Sequence, residues 1–383
     1  MRDLQLLNNP YGDDKVIANC SIFGLMETSG KVFKGKPVID AIANMHDRGN
    51  GLGGGFAVYG LYPDRADQWA FHIMFTDLTA HEDTVRYLGQ YFKISAGEEI
   101  PHRSAKGITD PPLVWRFWGE FIKNDDPTPI EDQIVRITMT INREINEAFV
   151  FSCGKNMGVF KGVGFPEEIA DFFILEEVEG YLWTAHGRFP TNTQAWWGGA
   201  HPFSILDYTV VHNGEISSYG INRRFLEMYD YHCTMMTDTE VLAYAADLLM
   251  RRHQIPVEYF ARVIAPPLWK EIDELPQEER ELLIALRKTY PGLLMNGPFT
   301  IIVAREGEMI GITDRIRLRP LAAATKDTKV YLSSEESSIR LVEPELDAIW
   351  TPMGGEPVIS KLGQPVPENK ARSQTRIQTA VTI

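Results

Sequence analysis

Cysteine is scarce in this chain: there are three in 383 residues, at positions 20, 153 and 233. An odd and widely spaced set is not a disulfide framework. Without a Cys-x-x-Cys pair, the three thiols cannot hold an iron–sulfur cluster in the usual way. His72, His81 and His102 show no metal-ligand spacing, so no metal site is expected. Long apolar runs are missing too: no stretch of about 18 apolar residues exists to form a membrane span. Positive charge is in deficit, with 38 Lys and Arg against 52 Asp and Glu, a net charge of −14. A nucleic-acid surface would need clustered cations, so that class is excluded. The first 19 residues carry Asp3, Asp13 and Asp14 and lack an apolar core, so they are not a secretory leader. The cytoplasm is the expected compartment. The glycines between Gly49 and Gly55 lack the Lys-Ser/Thr pair of a phosphate loop, and no flavin or dinucleotide motif is present.

What is present is the composition of a globular protein, 44% apolar and 23% charged, in a chain long enough for a substantial core. Apolar patterning predicts strands from Cys20 to Leu25, Phe56 to Tyr59, Val135 to Ile141, Ala148 to Ser152, Phe299 to Ala304, Met309 to Thr313 and Lys329 to Leu332. It predicts helices over Lys36 to His46, Thr79 to Phe92, from Pro166, over Asn222 to Tyr231, from Thr237 and over Glu278 to Lys288. Trp115, Phe117 and Trp118 read as core, and Cys153 and Cys233 as small buried hydrophobes.

The stretch from His186 to Glu215 organises the rest. The apolar residues Tyr208, Val210 and Val211 run into Asn213-Gly214, a step that commonly makes a tight hairpin turn. The same pair offers a second use. A side-chain amide and a backbone N–H aimed at one point form an oxyanion hole, and glycine lets a substrate approach the main chain. Arg188 can grip a carboxylate with two parallel bonds. Asp238 can receive an ammonium, or alternatively cap the helix that follows it. With a nucleophilic thiol, these parts would hold a free α-amino acid at both ends while its side-chain carbonyl is attacked.

Four motifs occur in order: Cys20-Ser-Ile-Phe-Gly, Gly187-Arg-Phe-Pro-Thr-Asn-Thr193, His212-Asn-Gly-Glu-Ile216 and Thr237-Asp-Thr-Glu240. In that order the chain resembles the class II glutamine amidotransferases, glutaminases of the N-terminal-nucleophile (Ntn) hydrolase group. The Arg188 to Thr193 run, Trp196 with Ala200-His-Pro-Phe203, His212 to Ile216, Gly311 to Leu321 and Ser333 to Glu336 resemble the glutaminase part of glutamate synthase. The resemblance implies an α+β fold, the Ntn-hydrolase four-layer αββα sandwich with two antiparallel sheets and an inserted α/β segment.

It implies Cys20 as nucleophile, with Asn213 and Gly214 as the oxyanion hole. Arg188, Thr191 and Asp238 would bind L-glutamine, with Arg48 and Gly49 beside the pocket. In this family the nucleophile begins the mature chain, and the chemistry explains why. A free α-amine with a pKa near 8 can be the base for its own thiol, so residues 1–19 are expected to be removed. An ordinary N-terminal arm is the alternative.

The expected organisation is therefore a propeptide or arm at 1–19 and an amidotransferase domain at 20–350. An insertion falls at 62–183, and residues 351–383 form a tail. No cofactor is expected in this chain. Ammonia would pass to separate synthase subunits of a glutamate synthase-like complex, which would carry the flavin and iron–sulfur groups. Two alternatives stay open: an N-terminal-Cys amide hydrolase without ammonia transfer, and a non-catalytic glutamine-binding relative.

Overall fold

The computed structural model describes residues 20–189 and 195–369. Ser21–Glu27 is buried along its whole length, which alternation does not produce and two covered sheet faces do. It is the central strand of a seven-stranded antiparallel sheet, in the order Ala348–Trp350, Ala322–Lys326, Lys329–Ser333, Ser21–Glu27, Leu182–Gly187, Gly54–Tyr59, Met157–Gly162. A second antiparallel sheet runs Phe203–Ile205, Tyr208–Gly214, Phe299–Arg305, Glu308–Thr313, Val358–Lys361.

The two sheets meet face to face. A Cβ on Gly24 would lie 2.8 Å from Met309 Sδ and 3.1 Å from Ile302 Cδ1, so side chains of the second sheet pack directly on this glycine. The Tyr59 hydroxyl crosses the interface, donating to a carbonyl of the other sheet, either Ala304 O at 2.9 Å or Asp207 O at 2.7 Å. Helices Lys36–Ala43, Pro166–Phe172 and Glu336–Val342 cover the outside of the larger sheet, and Thr239–Ala246 covers the smaller. This is the αββα layering expected, in an α+β chain.

The inserted segment carries a third antiparallel sheet: Phe92–Glu99, Leu113–Phe121, Trp69–Phe75, Ala148–Ser152. The expected insertion at 62–183 is broader than this sheet. Met157–Gly162, Pro166–Phe172 and Leu182–Gly187 all belong to the main sandwich. The strand expected at Val135 to Ile141 is instead part of a helix, Ile130–Glu144. Ile134, Ile137, Thr138 and Ile141 share one buried face at helical spacing, with Glu131 and Asp132 in the first turn. Seven residues of alternation fit that face equally well, and length decides for the helix. The tail expected from 351 includes Val358–Lys361, which completes the smaller sheet by pairing with Glu308–Thr313. Among the described residues no helix is long and apolar enough to cross a membrane.

Candidate active site

Cys20 sits just ahead of the buried strand Ser21–Glu27. That strand pairs with Leu182–Gly187 in a register that sets Ser21 opposite Gly187. The residues after Gly187 therefore run past Cys20, and its half-buried thiol accepts the backbone N–H of Phe189 at 3.4 Å. Burial pushes the thiol pKa up. The Phe189 N–H and the Arg188 charge pull it down, Asp238 pushes it up, and Arg319 pulls it down. Two cations and a carboxylate are thus near enough to act on one sulfur.

Arg188 is buried at 4% exposure. Its backbone N–H donates to Gly53 O at 2.8 Å, and a Cβ on Gly53 would meet the Arg188 Cδ at 2.9 Å. Burial works against the guanidinium charge, while Cys20 and Asp238 support it. Asp238 stands at the start of helix Thr239–Ala246 but makes no side-chain cap bond there. Its Oδ2 instead accepts the N–H of Ile216 at 2.8 Å, and Thr237 Oγ1 takes the Thr239 N–H at 3.1 Å. The carboxylate is thereby turned from its own helix toward the end of strand Tyr208–Gly214.

Asn213 and Gly214 end that strand without forming a hairpin; they continue in register with Thr300 and Phe299. Gly214 has φ 149°, and a Cβ there would fall 2.1 Å from Pro298 O, so glycine is required by close approach. Asn213 is fully buried, and its amide Nδ2 lies 3.0 Å from Ser334 Oγ. The same Ser334 oxygen accepts the Ile22 N–H at 3.2 Å. One hydroxyl therefore joins the amide to the strand that starts beside Cys20.

Arg48 engages the nucleophile's own residue. Its Nε donates to Cys20 O at 3.2 Å and its Nη1 to Glu335 Oε1 at 2.6 Å, so it holds the backbone of the nucleophile. Gly49 lines a small cavity with Ser21, Gly53 and Arg188. Thr191 lies outside the described residues.

Arg319, Ser334 and Glu335 received no role from sequence. Arg319 is delivered by a loop built on Asp314, whose carboxylate accepts the N–H groups of Ile316, Leu318 and Arg319 at 2.9 to 3.2 Å. The Asp-Arg-Ile-Arg-Leu-Arg run was visible, and three arginines in one loop are the signal that could have prompted the question. Nothing local marks Ser334, because its partners are 121 and 312 residues away.

Behind the site lie three buried imidazoles. His186 and His201 stack at 3.9 Å between ring centroids, and His201 and His212 lie near-parallel at 6.4 Å. His186 Nε2 donates to His212 O at 2.9 Å, and Thr239 Oγ1 bridges His212 Nδ1 and His201 Nε2 at 3.0 and 3.2 Å. Burial holds all three below the ordinary histidine range, and it lowers the buried His72 to about 3. As pH falls below about 6.5, the unfolded chain binds protons on these four histidines and the folded chain does not. Each therefore contributes stability that is present above about 6.5 and lost as pH drops through its lowered folded-state value. Glu240 runs the other way: burial lifts it to about 7, so the folded state keeps a proton the unfolded state releases. Burial also raises Asp207 in the same sense. With four histidines set against two carboxylates, the expected net effect is a loss of stability as pH falls from about 6.5 to 5. Urea unfolding midpoints at several pH values check this, and a flat profile over that range would contradict it.

A separate cleft, lined by Trp69, Lys155, Asp207, Arg305 and Lys361, opens at the far end of strand Phe299–Arg305 from Gly214, away from the thiol. Among the described residues no group of three or more His, Cys, Asp or Glu is arranged to hold a metal ion.

Comparison with known proteins bears on this site. The family model for class-II glutamine amidotransferases matches residues 128–349. An uncharacterized protein of Archaeoglobus fulgidus is 53% identical over 354 residues, which are 91% of this chain and 94% of that one. The glutamine amidotransferase-like protein GlxB of Rhizobium meliloti is 25% identical over 53% of this chain and 59% of its own length. An amidophosphoribosyltransferase of Methanocaldococcus jannaschii is 24% identical over 51% of this chain, and 36% of its length is covered. The match to these two named relatives thus spans less than two thirds of their lengths. Among solved structures, the glutamine phosphoribosylpyrophosphate amidotransferase of B. subtilis matches 91% of this chain and 50% of its own, at 14% identity and a TM-score of 0.38.

Proposed function

Because this chain belongs to the class-II glutamine amidotransferases, we propose that it hydrolyses L-glutamine to glutamate and ammonia at Cys20. The observation that carries this reading is the Cys20 thiol on the Phe189 N–H, with Arg188 and Asp238 acting on it from the sides. In this reading Arg188, helped by Thr191, takes the α-carboxylate, and Asp238 takes the α-ammonium. The thiolate attacks the δ-carbonyl, the C–N bond breaks, and ammonia leaves with a proton. Asn213 Nδ2 and the Gly214 N–H receive the negative charge on the carbonyl oxygen. Water then cleaves the γ-glutamyl thioester and restores the thiol. Arg48 and Glu335 keep the nucleophile's backbone in place.

A base is still needed, because burial raises the thiol pKa. Arg188 and Arg319 are cations and Asp238 is a weak carboxylate base, so none of the charges acting most on the sulfur can serve. The α-amine of Cys20 can, once residues 1–19 are gone. Ammonia released to water would be lost, which favours delivery to a partner synthase. A glutamate synthase-like complex, with its redox cofactors on the partner subunits, is the reading the motifs around Arg188 and His212 favour.

The test is kinetic. Arg188→Ala removes charge-assisted bonds made to the ground state and transition state alike, each worth about 1.5–3 kcal/mol. The glutamine KM should therefore rise by about 10²-fold, with kcat within about threefold. An unchanged KM would sink the carboxylate assignment.

A further inference from the structure

Ser334 is buried at 4% exposure where strand Lys329–Ser333 ends, and its main chain and side chain both reach the strand that follows Cys20. Its N–H donates to Ile22 O at 3.1 Å, and its Oγ accepts the Ile22 N–H at 3.2 Å. The same Oγ lies 3.0 Å from the side-chain amide nitrogen of Asn213. In that orientation the other carboxamide atom, Asn213 Oδ1, is buried without a hydrogen-bond partner among the described residues. Asn213 itself is fully buried. An acceptor left without a partner in a buried place is unfavourable.

The hydroxyl permits the opposite arrangement. Having accepted from Ile22, Ser334 has its proton left to give. A half-turn of the carboxamide sets Oδ1 on that proton and leaves the NH₂ as the atom without a protein partner. An NH₂ in that place has donors to offer an oxyanion, where Oδ1 would repel one.

Building on the glutaminase reading above, we propose that Ser334 is a positioning residue that orients the Asn213 carboxamide as an oxyanion donor and registers it against the strand carrying Cys20. Alanine in its place removes the bond that selects the orientation, and the amide is then no longer held with its donors toward the substrate.

The experiment is a double-mutant cycle on glutamine hydrolysis by the full chain. Ser334→Ala should lower kcat about 10- to 30-fold with KM within about twofold, part of the loss from deleting an oxyanion donor outright. Ser334→Thr, which keeps the hydroxyl, should restore kcat to within about threefold. In an Asn213→Ala background, Ser334→Ala should cost less than about a further twofold, since the group it orients is gone. Full additivity in that background would overturn the proposal and leave Ser334 a purely structural residue. If the alanine variant does not fold, Ser334→Cys, similar in volume but a weak donor, should show the same kcat loss; a wild-type rate would overturn the proposal. A wild-type chain without glutaminase activity would overturn the functional reading itself, and this inference with it. An active wild type with additive losses overturns only the role of Ser334.

Discussion

Asn213→Ala is expected to lower kcat for glutamine hydrolysis by about 10²–10³-fold, with KM moved less than about threefold. The asymmetry follows from when the contact is made. The ground-state carbonyl carries little charge, so the amide adds little to binding, whereas the tetrahedral intermediate places a full negative charge on that oxygen. A buried donor is worth most there, because no water competes and nothing has to reorganise. Asn213 is fully buried, with its carboxamide against the Ser334 hydroxyl. Asn213→Asp separates charge from shape: it keeps the volume, loses the donors and adds a repelling carboxylate. It should be at least as inactive as alanine. If either variant instead raised KM and kept kcat, Asn213 would be a ground-state contact and the oxyanion hole would lie elsewhere.

The second large effect concerns the chain end. A protein in which Asn19 stays attached to Cys20 is expected to turn over glutamine about 10²–10⁴-fold more slowly than one that begins at Cys20, the range for losing a positioned general base. The nitrogen of Cys20 is an amide in the first and an amine with a pKa near 8 in the second. The environment sharpens the contrast, since burial raises the thiol pKa and leaves little thiolate without help. Two expressed forms make the comparison: the chain shortened to Met followed by Cys20, from which the Met is removed, and the full chain with Asn19 replaced to block any cleavage. Equal rates would assign the base to another group and return residues 1–19 to the status of an ordinary arm.

Much of the fold was legible because its central strands are unusually apolar. Ser21–Glu27 and Phe299–Arg305 are buried on both faces, and such runs stand out in a sequence whatever surrounds them. The helix Ile130–Glu144 was misread as a strand because its buried face includes alternating positions over a short window. Val358–Lys361 was missed for the opposite reason. It is four residues in a polar segment, and its place comes from a free edge on Glu308–Thr313 that only tertiary structure creates.

At the site, Cys20, Arg188, Asn213, Gly214 and Asp238 were named because their chemistry combines into one task, and the structure brings the thiol, Arg188 and Asp238 within electrostatic reach of one another. Arg48 was expected beside the pocket, but its guanidinium engages Cys20 O and Glu335. A motif gives a neighbourhood; which way a side chain points depends on partners hundreds of residues away. Nothing in the sequence near Ser334 shows what it faces, and the arginine run that ends at Arg319 signals a charge cluster without showing its target.

The most direct test is the intact mass of the purified protein before and after exposure to 6-diazo-5-oxo-norleucine, a glutamine-shaped electrophile. The account predicts a chain that starts at Cys20 and gains one equivalent of reagent on that residue, with hydrolysis lost in step. A chain that retains residues 1–19, hydrolyses glutamine and leaves the Cys20 sulfur unmodified would contradict it.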